Sequence, residues 1–345
     1  MSATVPAGST TEPILEVTDL VIRYGRGRRA SASAPAVNKV SLTIAPGETV
    51  GLVGESGSGK TTIGKAILGL QAVSEGTVRF NGVDITHADP KARRKLGGDL
   101  RAIFQDPFSS LNPRLTIGAS ITEPLRIAGL SKAEALSRAR AILHAVGMPA
   151  DTVDRYPRQF SGGQRQRIAV ARALITDPTL VICDEPVSAL DLSTQAQVLN
   201  LLADLRAQRG LSYLFIAHDI AVVSFLAQRV VVLYRGQVME EGPSLEVTER
   251  PRHPFTQALT AASPVPRPAE QAERRAKREA SGVKSAGIVD PGSTGCPFAS
   301  RCPFATELCV AERPELREIG PVKVACHYAT ESGAIDSPAT ASAVA

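Results

Sequence analysis

The chain has 345 residues, 43% hydrophobic, 21% charged and 4% aromatic, with no tryptophan, five cysteines and a formal net charge of +5. That balance fits a globular protein with room for one large domain and an appendage, or for two domains, and it excludes a disordered chain. The longest apolar runs, such as Val230–Leu233, fall far short of the roughly 20 residues of a membrane-spanning helix, and the positive charge permits a membrane-surface or nucleic-acid partner while the scarcity of aromatics argues against a base-stacking platform.

Residues 1–12 are small, polar and proline-containing, with neither the basic start nor the apolar core of a secretory signal. They are read as a disordered terminus of a chain that stays in the cytoplasm. Ile14 to Tyr24 has strand character, and Tyr24 closes it before a Gly/Arg/Ser/Ala-rich loop at 25–35. A tyrosine there can stack on a purine or cap a sheet edge. Val40, Leu42 and Ile44 alternate with Ser41 and Thr43, and Pro46-Gly47 turns the chain into the apolar run Thr49–Val53.

Gly54-Glu55-Ser56-Gly57-Ser58-Gly59-Lys60-Thr61 follows at once, with Ile63, Ala66, Ile67 and Leu70 at helical spacing after it. Strand, glycine loop and helix make the context in which G-x-x-x-x-G-K-[ST] cradles phosphates. Backbone N–H groups approach phosphate oxygens where a Cβ would obstruct, the lysine reaches the outer phosphates, and the threonine hydroxyl ligates Mg²⁺. Val78 and Phe80 then alternate with Thr77 and Arg79 up to Asn81-Gly82, a type I′ hairpin signal.

A short apolar strand at 100–103 leads to Gln105 and a loop with two prolines, Pro107 and Pro113. Ser131-Lys132-Ala133-Glu134 is a capping box, and Leu136, Leu143 and Val146 form one helical face, so a helical insertion is expected inside the α/β domain. Ser161 is a good N-cap for a helix that begins with Gly162, Gly163 and Gln164, and helix N-termini bind anions. Two phosphate-seeking helix ends about a hundred residues apart make sense if they act on one nucleotide across an interface. Leu180–Glu185 is a buried strand ending in Asp184, suited to Mg²⁺, and Glu185, suited to orienting or deprotonating water. Ser188-Ala189-Leu190-Asp191 precedes a helix with Val198, Leu201, Leu202 and Leu205 on one face, and a further strand, Leu211 to Ala217, ends at His218.

The ordered set Tyr24, Gly54–Thr61, Gln105, Ser161–Gln164, Asp184-Glu185, Ser188–Asp191 and His218 resembles the nucleotide-binding domain of an ATP-binding-cassette (ABC) protein, over residues 14–250; Phe160 stands where that family commonly has leucine. The resemblance implies an α/β fold: a RecA-like P-loop ATPase core with an N-terminal antiparallel β subdomain and a helical subdomain at about 106–176, in a domain at 13–262. It also implies roles. Tyr24 stacks on adenine; Gly54, Ser56, Gly57, Ser58, Gly59, Lys60, Thr61 and Thr62 hold phosphates; Thr61, Gln105 and Asp184 serve Mg²⁺. Ser161, Gly162, Gly163 and Gln164 contact ATP on an opposing subunit, Asp191 lies at that contact, and Glu185, His218 and Gln105 act at the γ-phosphate.

Two longer stretches, Phe104–Arg114 and Arg252–Leu259, resemble the ATPase subunits of oligopeptide, dipeptide or nickel importers. That implies a second cassette subunit such as a paralogue, two integral membrane permease subunits, an extracytoplasmic substrate-binding protein and no direct nucleic acid, at the cytoplasmic face of the membrane. Import of nickel or another small solute, and a soluble ABC ATPase acting on nucleic acid, are the alternatives.

Residues 263–290 are Pro-, Glu- and Arg-rich and read as a linker, 291–328 as a cysteine-rich region, and 329–345 as a disordered tail. Cys296, Cys302, Cys309 and Cys326 have five, six and sixteen residues between them. In a cytoplasmic chain such clustering points to a metal site, and the spacing does not choose the metal. The same importer resemblance implies a [4Fe–4S] cluster; zinc and free thiols stay open.

Overall fold

The computed structural model describes residues 12–25, 34–106, 111–263 and 294–338. The expected disordered terminus, most of the loop at 25–35, the Pro107 turn, nearly all of the linker and residues 339–345 lie outside them.

Two sheets organise the described residues. Strands β1 (Leu15–Ile22), β2 (Val37–Ile44), β4 (Glu75–Phe80) and β5 (Val83–Asp84) form an antiparallel sheet in the order β2-β1-β4-β5. Along β2, Val40, Leu42 and Ile44 are buried while Ser41 and Thr43 face outward, as a period of two requires. The turn into β5 has positive φ at Asn81 (48°) and Gly82 (75°), the condition for a type I′ hairpin.

The second sheet has eight strands in the order β11-β12-β10-β9-β3-β8-β7-β6. Its centre is parallel: β3 (Thr49–Val53) lies between β8 (Ser212–Ala217) and β9 (Arg229–Tyr234), with β7 (Leu180–Asp184) and β6 (Leu100–Ile103) beyond β8. Strands β3, β7 and β8 are buried along their whole length, which is why they read as continuous apolar runs. Helix α1 (Lys60–Ile67) buries Ile63, Ala66 and Ile67. Leu70, spaced to share that face, is exposed, because the helix ends before it and Gly69 turns the chain at φ 74°.

After the short α2 (Pro90–Leu96) come α3 (Ile117–Ile127), α4 (Lys132–Ala145) and α5 (Gly162–Leu174), which pack on one another as the helical insertion. The α4 capping box is formed by Ser131 and Glu134; Leu143 and Val146 are buried, and Leu136 only partly. On α6 (Leu192–Arg209) the buried stripe is Val198, Leu199, Leu202 and Leu205, with Leu201 at its margin. The parallel sheet separates two cores, one under the antiparallel sheet and one shared by the helical layer and the C-terminal region.

Beyond α7 (Ile220–Leu226), β10 (Gln237–Pro243), α8 (Ser244–Glu249) and α9 (Pro254–Ala262), the C-terminal region contributes α10 (Glu307–Ala311), β11 (Arg317–Ile319) and β12 (Val322–Val324). It is part of the main sheet: β12 pairs antiparallel with β10 through Glu240–Val324 and Glu241–Lys323. The stretch from Ala329, whose small polar composition suggests a disordered tail, is folded as far as residue 338: Ala329 bridges Ile335, and the buried Ser337 donates its hydroxyl to Phe304 O at 2.9 Å.

Candidate functional site

The glycine loop leaves the buried strand β3 and passes between the end of β9 and the start of β2. A Cβ at Gly54 (φ 155°) would sit 2.1 Å from Leu233 O, and one at Gly59 (φ 101°) 2.6 Å from Ala36 O, so both positions exclude a side chain. Lys60 opens α1 inside this loop. Its Nζ donates to Gly54 O at 2.8 Å, Glu55 O at 2.9 Å and Ser58 Oγ at 3.4 Å. Burial lowers its pKa, against the opposing pull of the Glu185, Asp184 and Glu55 carboxylates. Tyr24 is half-exposed, and its hydroxyl lies 2.8 Å from Thr62 Oγ1, which brings its ring to the first turn of α1.

Thr61 Oγ1 donates to Asp184 Oδ1 at 2.8 Å across the gap between α1 and β7. Desolvation raises the Asp184 pKa, as does the neighbouring Glu185, while the Thr61 bond lowers it. A hydroxyl and a carboxylate oxygen side by side at a phosphate loop suit a hard cation, so these residues fit Mg²⁺. Glu185, just past β7, is held at φ 48°, a left-handed conformation uncommon for a glutamate, by its N–H donating to Ile216 O at 2.9 Å. Its Oε2 accepts from Gln105 Nε2 at 3.3 Å and lies 3.4 Å from His218 Nδ1. Gln105, Glu185 and His218 follow the carboxyl ends of three adjacent parallel strands, the edge where open α/β sheets bind ligands.

The other expected phosphate-seeking element is the N-terminal end of α5. Ser161 and Gln164 bond each other reciprocally, Gln164 N to Ser161 Oγ at 3.4 Å and Ser161 N to Gln164 Oε1 at 3.0 Å, a capping box that occupies the glutamine side chain. Gly163 lies against Thr194 of α6; a Cβ there would meet Thr194 Cγ2 at 2.3 Å. Asp191 caps α6, accepting from the backbone and hydroxyl groups of Ser193 and Thr194, which holds its carboxyl well below the usual range. Among the described residues no hydrogen bond joins Ser161–Gln164 to the glycine loop, Asp184, Glu185 or His218.

Residues 37–188 match the family profile described as ABC transporter, and residues 239–309 the one described as oligopeptide/dipeptide transporter, C-terminal region. A Brucella ovis protein named for peptide import and ATP binding is 47% identical over 315 residues, covering 90% of this chain and 96% of its own. The chain belongs to the ABC transporter family, as an ATP-binding-cassette ATPase. A Brucella abortus protein named in the same way is 44% identical over 324 residues, with 92% and 94% covered. Among solved structures, cbiO1 of Clostridium perfringens, part of the ABC transporter complex cbiONQ, aligns with a TM-score of 0.61 at 26% identity over 68% of this chain and 90% of that one. The cassette MJ0796, described as dimeric with ADP and Pi, aligns at 0.60 with 30% identity over 67% and 98%. Among the described residues of this ABC protein, no helix is long and apolar enough to cross a membrane.

The cassette carries a second cluster in its C-terminal region. Cys296, Cys302, Cys309 and Cys326 all line one small cavity, together with Phe298 and His253. Burial pushes the Cys296 thiol up to about 11 and Cys302 up to about 12, and raises Cys326. Four cysteines lining one apolar cavity are a soft donor set of the kind that suits an iron–sulfur cluster or zinc. Yet among the described residues no three His, Cys, Asp or Glu side chains gather tightly enough to hold a single ion. Cys183 is fully buried in β7 with its thiol pushed up, an inert core residue.

Sequence reasoning missed two polar residues, Glu240 and Arg301. Glu240 is buried and accepts from the N–H groups of Arg252 and His253, both at 2.9 Å, so Arg252 and His253 of the importer-like stretch serve as buried anchors. Arg301 Nη1 reaches both carboxylate oxygens of Glu55, at 2.9 and 2.8 Å, from 246 positions away. No local pattern signals a contact between segments so far apart in the chain.

Proposed function

We propose that this ABC ATPase hydrolyses ATP to drive peptide import across the cytoplasmic membrane, docked at its cytoplasmic face on two permease subunits served by an extracytoplasmic binding protein. The names of the Brucella relatives and the match to the oligopeptide/dipeptide C-terminal region support peptide over nickel or another solute. The observation that carries the reading is that the glycine-loop groups and the Ser161–Gln164 helix end, both phosphate-seeking, share no hydrogen bond among the described residues of one chain. It calls for a second cassette, closed head-to-tail, so that Ser161, Gly162 and Gly163 of one subunit meet the γ-phosphate held by the other's glycine loop.

In that closed site Lys60 exchanges its carbonyl partners for phosphate oxygens, and Tyr24 offers its ring to adenine. Thr61, Asp184 and Gln105 would hold Mg²⁺, which supplies charge neutralisation on the phosphates when bound. Glu185 orients the attacking water and accepts its proton. His218 and Gln105, both against the same Glu185 oxygen, sit where a γ-phosphate would part them from it. Asp191, by capping α6, fixes the Ser188–Asp191 turn at the subunit contact.

A [4Fe–4S] cluster on Cys296, Cys302, Cys309 and Cys326 is the second element of the proposal, with zinc as its competitor. Four cysteines lining one cavity support it. Anaerobically purified protein should be brown with matching iron and sulfide; stoichiometric zinc in colourless protein would refute it. Pull-down of tagged Glu185→Gln with ATP in mild detergent tests the transport reading. Multi-span permeases and a second cassette are expected, and solely soluble or nucleic-acid-associated partners would overturn it.

A further inference from the structure

Glu55 stands in the glycine loop and faces two ways. Its carbonyl accepts from Lys60 Nζ at 2.9 Å, and its carboxylate receives Arg301 Nη1 at 2.8 and 2.9 Å. Arg301 rides on the turn between Cys296 and Cys302, where its own N–H and that of Cys302 both donate to Phe298 O, at 2.9 and 3.0 Å. Its guanidinium lies over the rings of Tyr234 and Phe298, 5.8 and 5.6 Å from their centroids, and its Nη1 lies 3.4 Å from the Tyr234 hydroxyl. Those two rings meet edge-on at 5.4 Å, and Phe255 packs on both. The arginine side chain is 18% exposed and the glutamate 44%. A largely buried, ring-supported cation therefore grips the more exposed partner, which belongs to the loop.

We propose that Arg301 is a positioning residue for ATP: it fixes the phosphate loop through Glu55 and cancels a carboxylate that would otherwise face the incoming phosphates. The inference rests on the ATP-binding reading above and extends it, because it makes the cysteine-bearing region part of the nucleotide site. Without Arg301, an unneutralised negative charge stays on a loop built to receive a polyanion, and the Glu55 carboxylate loses the bonds that tie it to the C-terminal region. Arginine suits the role because its charge persists at every physiological pH and its flat cation stacks on rings, which lysine does less well.

The test measures the Kd for MgATP by fluorescent-nucleotide displacement on the full chain in wild type, Arg301→Ala, Arg301→Lys, Glu55→Ala, the Glu55→Ala/Arg301→Ala double variant and Lys60→Ala. Arg301→Ala should weaken binding about three- to fivefold, the size of one partly exposed ion pair, and Arg301→Lys should recover part of that loss. In the Glu55→Ala background the same arginine substitution should cost less than about 1.5-fold, since residues in contact couple non-additively. A residue that merely staples the C-terminal region would lower the melting temperature and leave this coupling at zero. Wild-type affinity in folded Arg301→Ala, or an equal loss with and without Glu55, refutes the inference. Lys60→Ala binding as tightly as wild type would instead refute the ATP reading beneath it.

Discussion

At the scale of residues, Glu185 is singled out by convergence: an amide and an imidazole approach the same carboxylate oxygen, and a left-handed backbone aims it. Glutamine keeps that shape and loses the proton acceptor. Glu185→Gln should therefore cut ATP hydrolysis by on the order of 10²–10⁴ while ATP binding survives, whereas Lys60→Ala should weaken both; phosphate release and nucleotide binding measured side by side decide it. Unchanged turnover in Glu185→Gln would remove it from the mechanism. These residues were legible in the sequence because the phosphate loop and the strand-ending carboxylates are local patterns. The Arg301–Glu55 pair was not, since contacts across 246 positions leave no trace in either segment.

Among the elements, α9 shows how a buried polar residue sets an end. His253 is its N-cap, accepting from Phe255 N at 2.9 Å through Nδ1, and it is fully buried. Burial lowers its pKa from 6.5 to about 3. The folded chain thus keeps His253 neutral where the unfolded chain takes up a proton. The resulting stability is complete above about pH 6.5 and declines as pH falls toward 3, by up to about 1.4 kcal/mol per pH unit from this group. Urea unfolding at pH 7, 6 and 5 should show a shallower decline in His253→Gln than in wild type; identical slopes would contradict it. Helix faces were legible from periodicity, as with Ile63, Ala66 and Ile67. The misplacements, Leu70 and Leu201, fall where a helix stops early or where a stripe has a margin.

For the whole molecule, the parallel sheet could be foreseen because strands buried on both faces are continuously apolar. The join of the C-terminal region to its edge could not. Strands β11 and β12 are three residues each, too short for a period to register, and β10 recruits them by backbone pairing. The consequence is functional: the cysteine-bearing region is fastened both to the central sheet and to the phosphate loop. Whether the cassette's hydrolysis drives peptide inward is read in proteoliposomes holding the complete complex with ATP on the cassette side. Labelled peptide should accumulate with wild type and not with Glu185→Gln. Wild-type hydrolysis with no ATP-dependent peptide accumulation would overturn peptide import by this cassette.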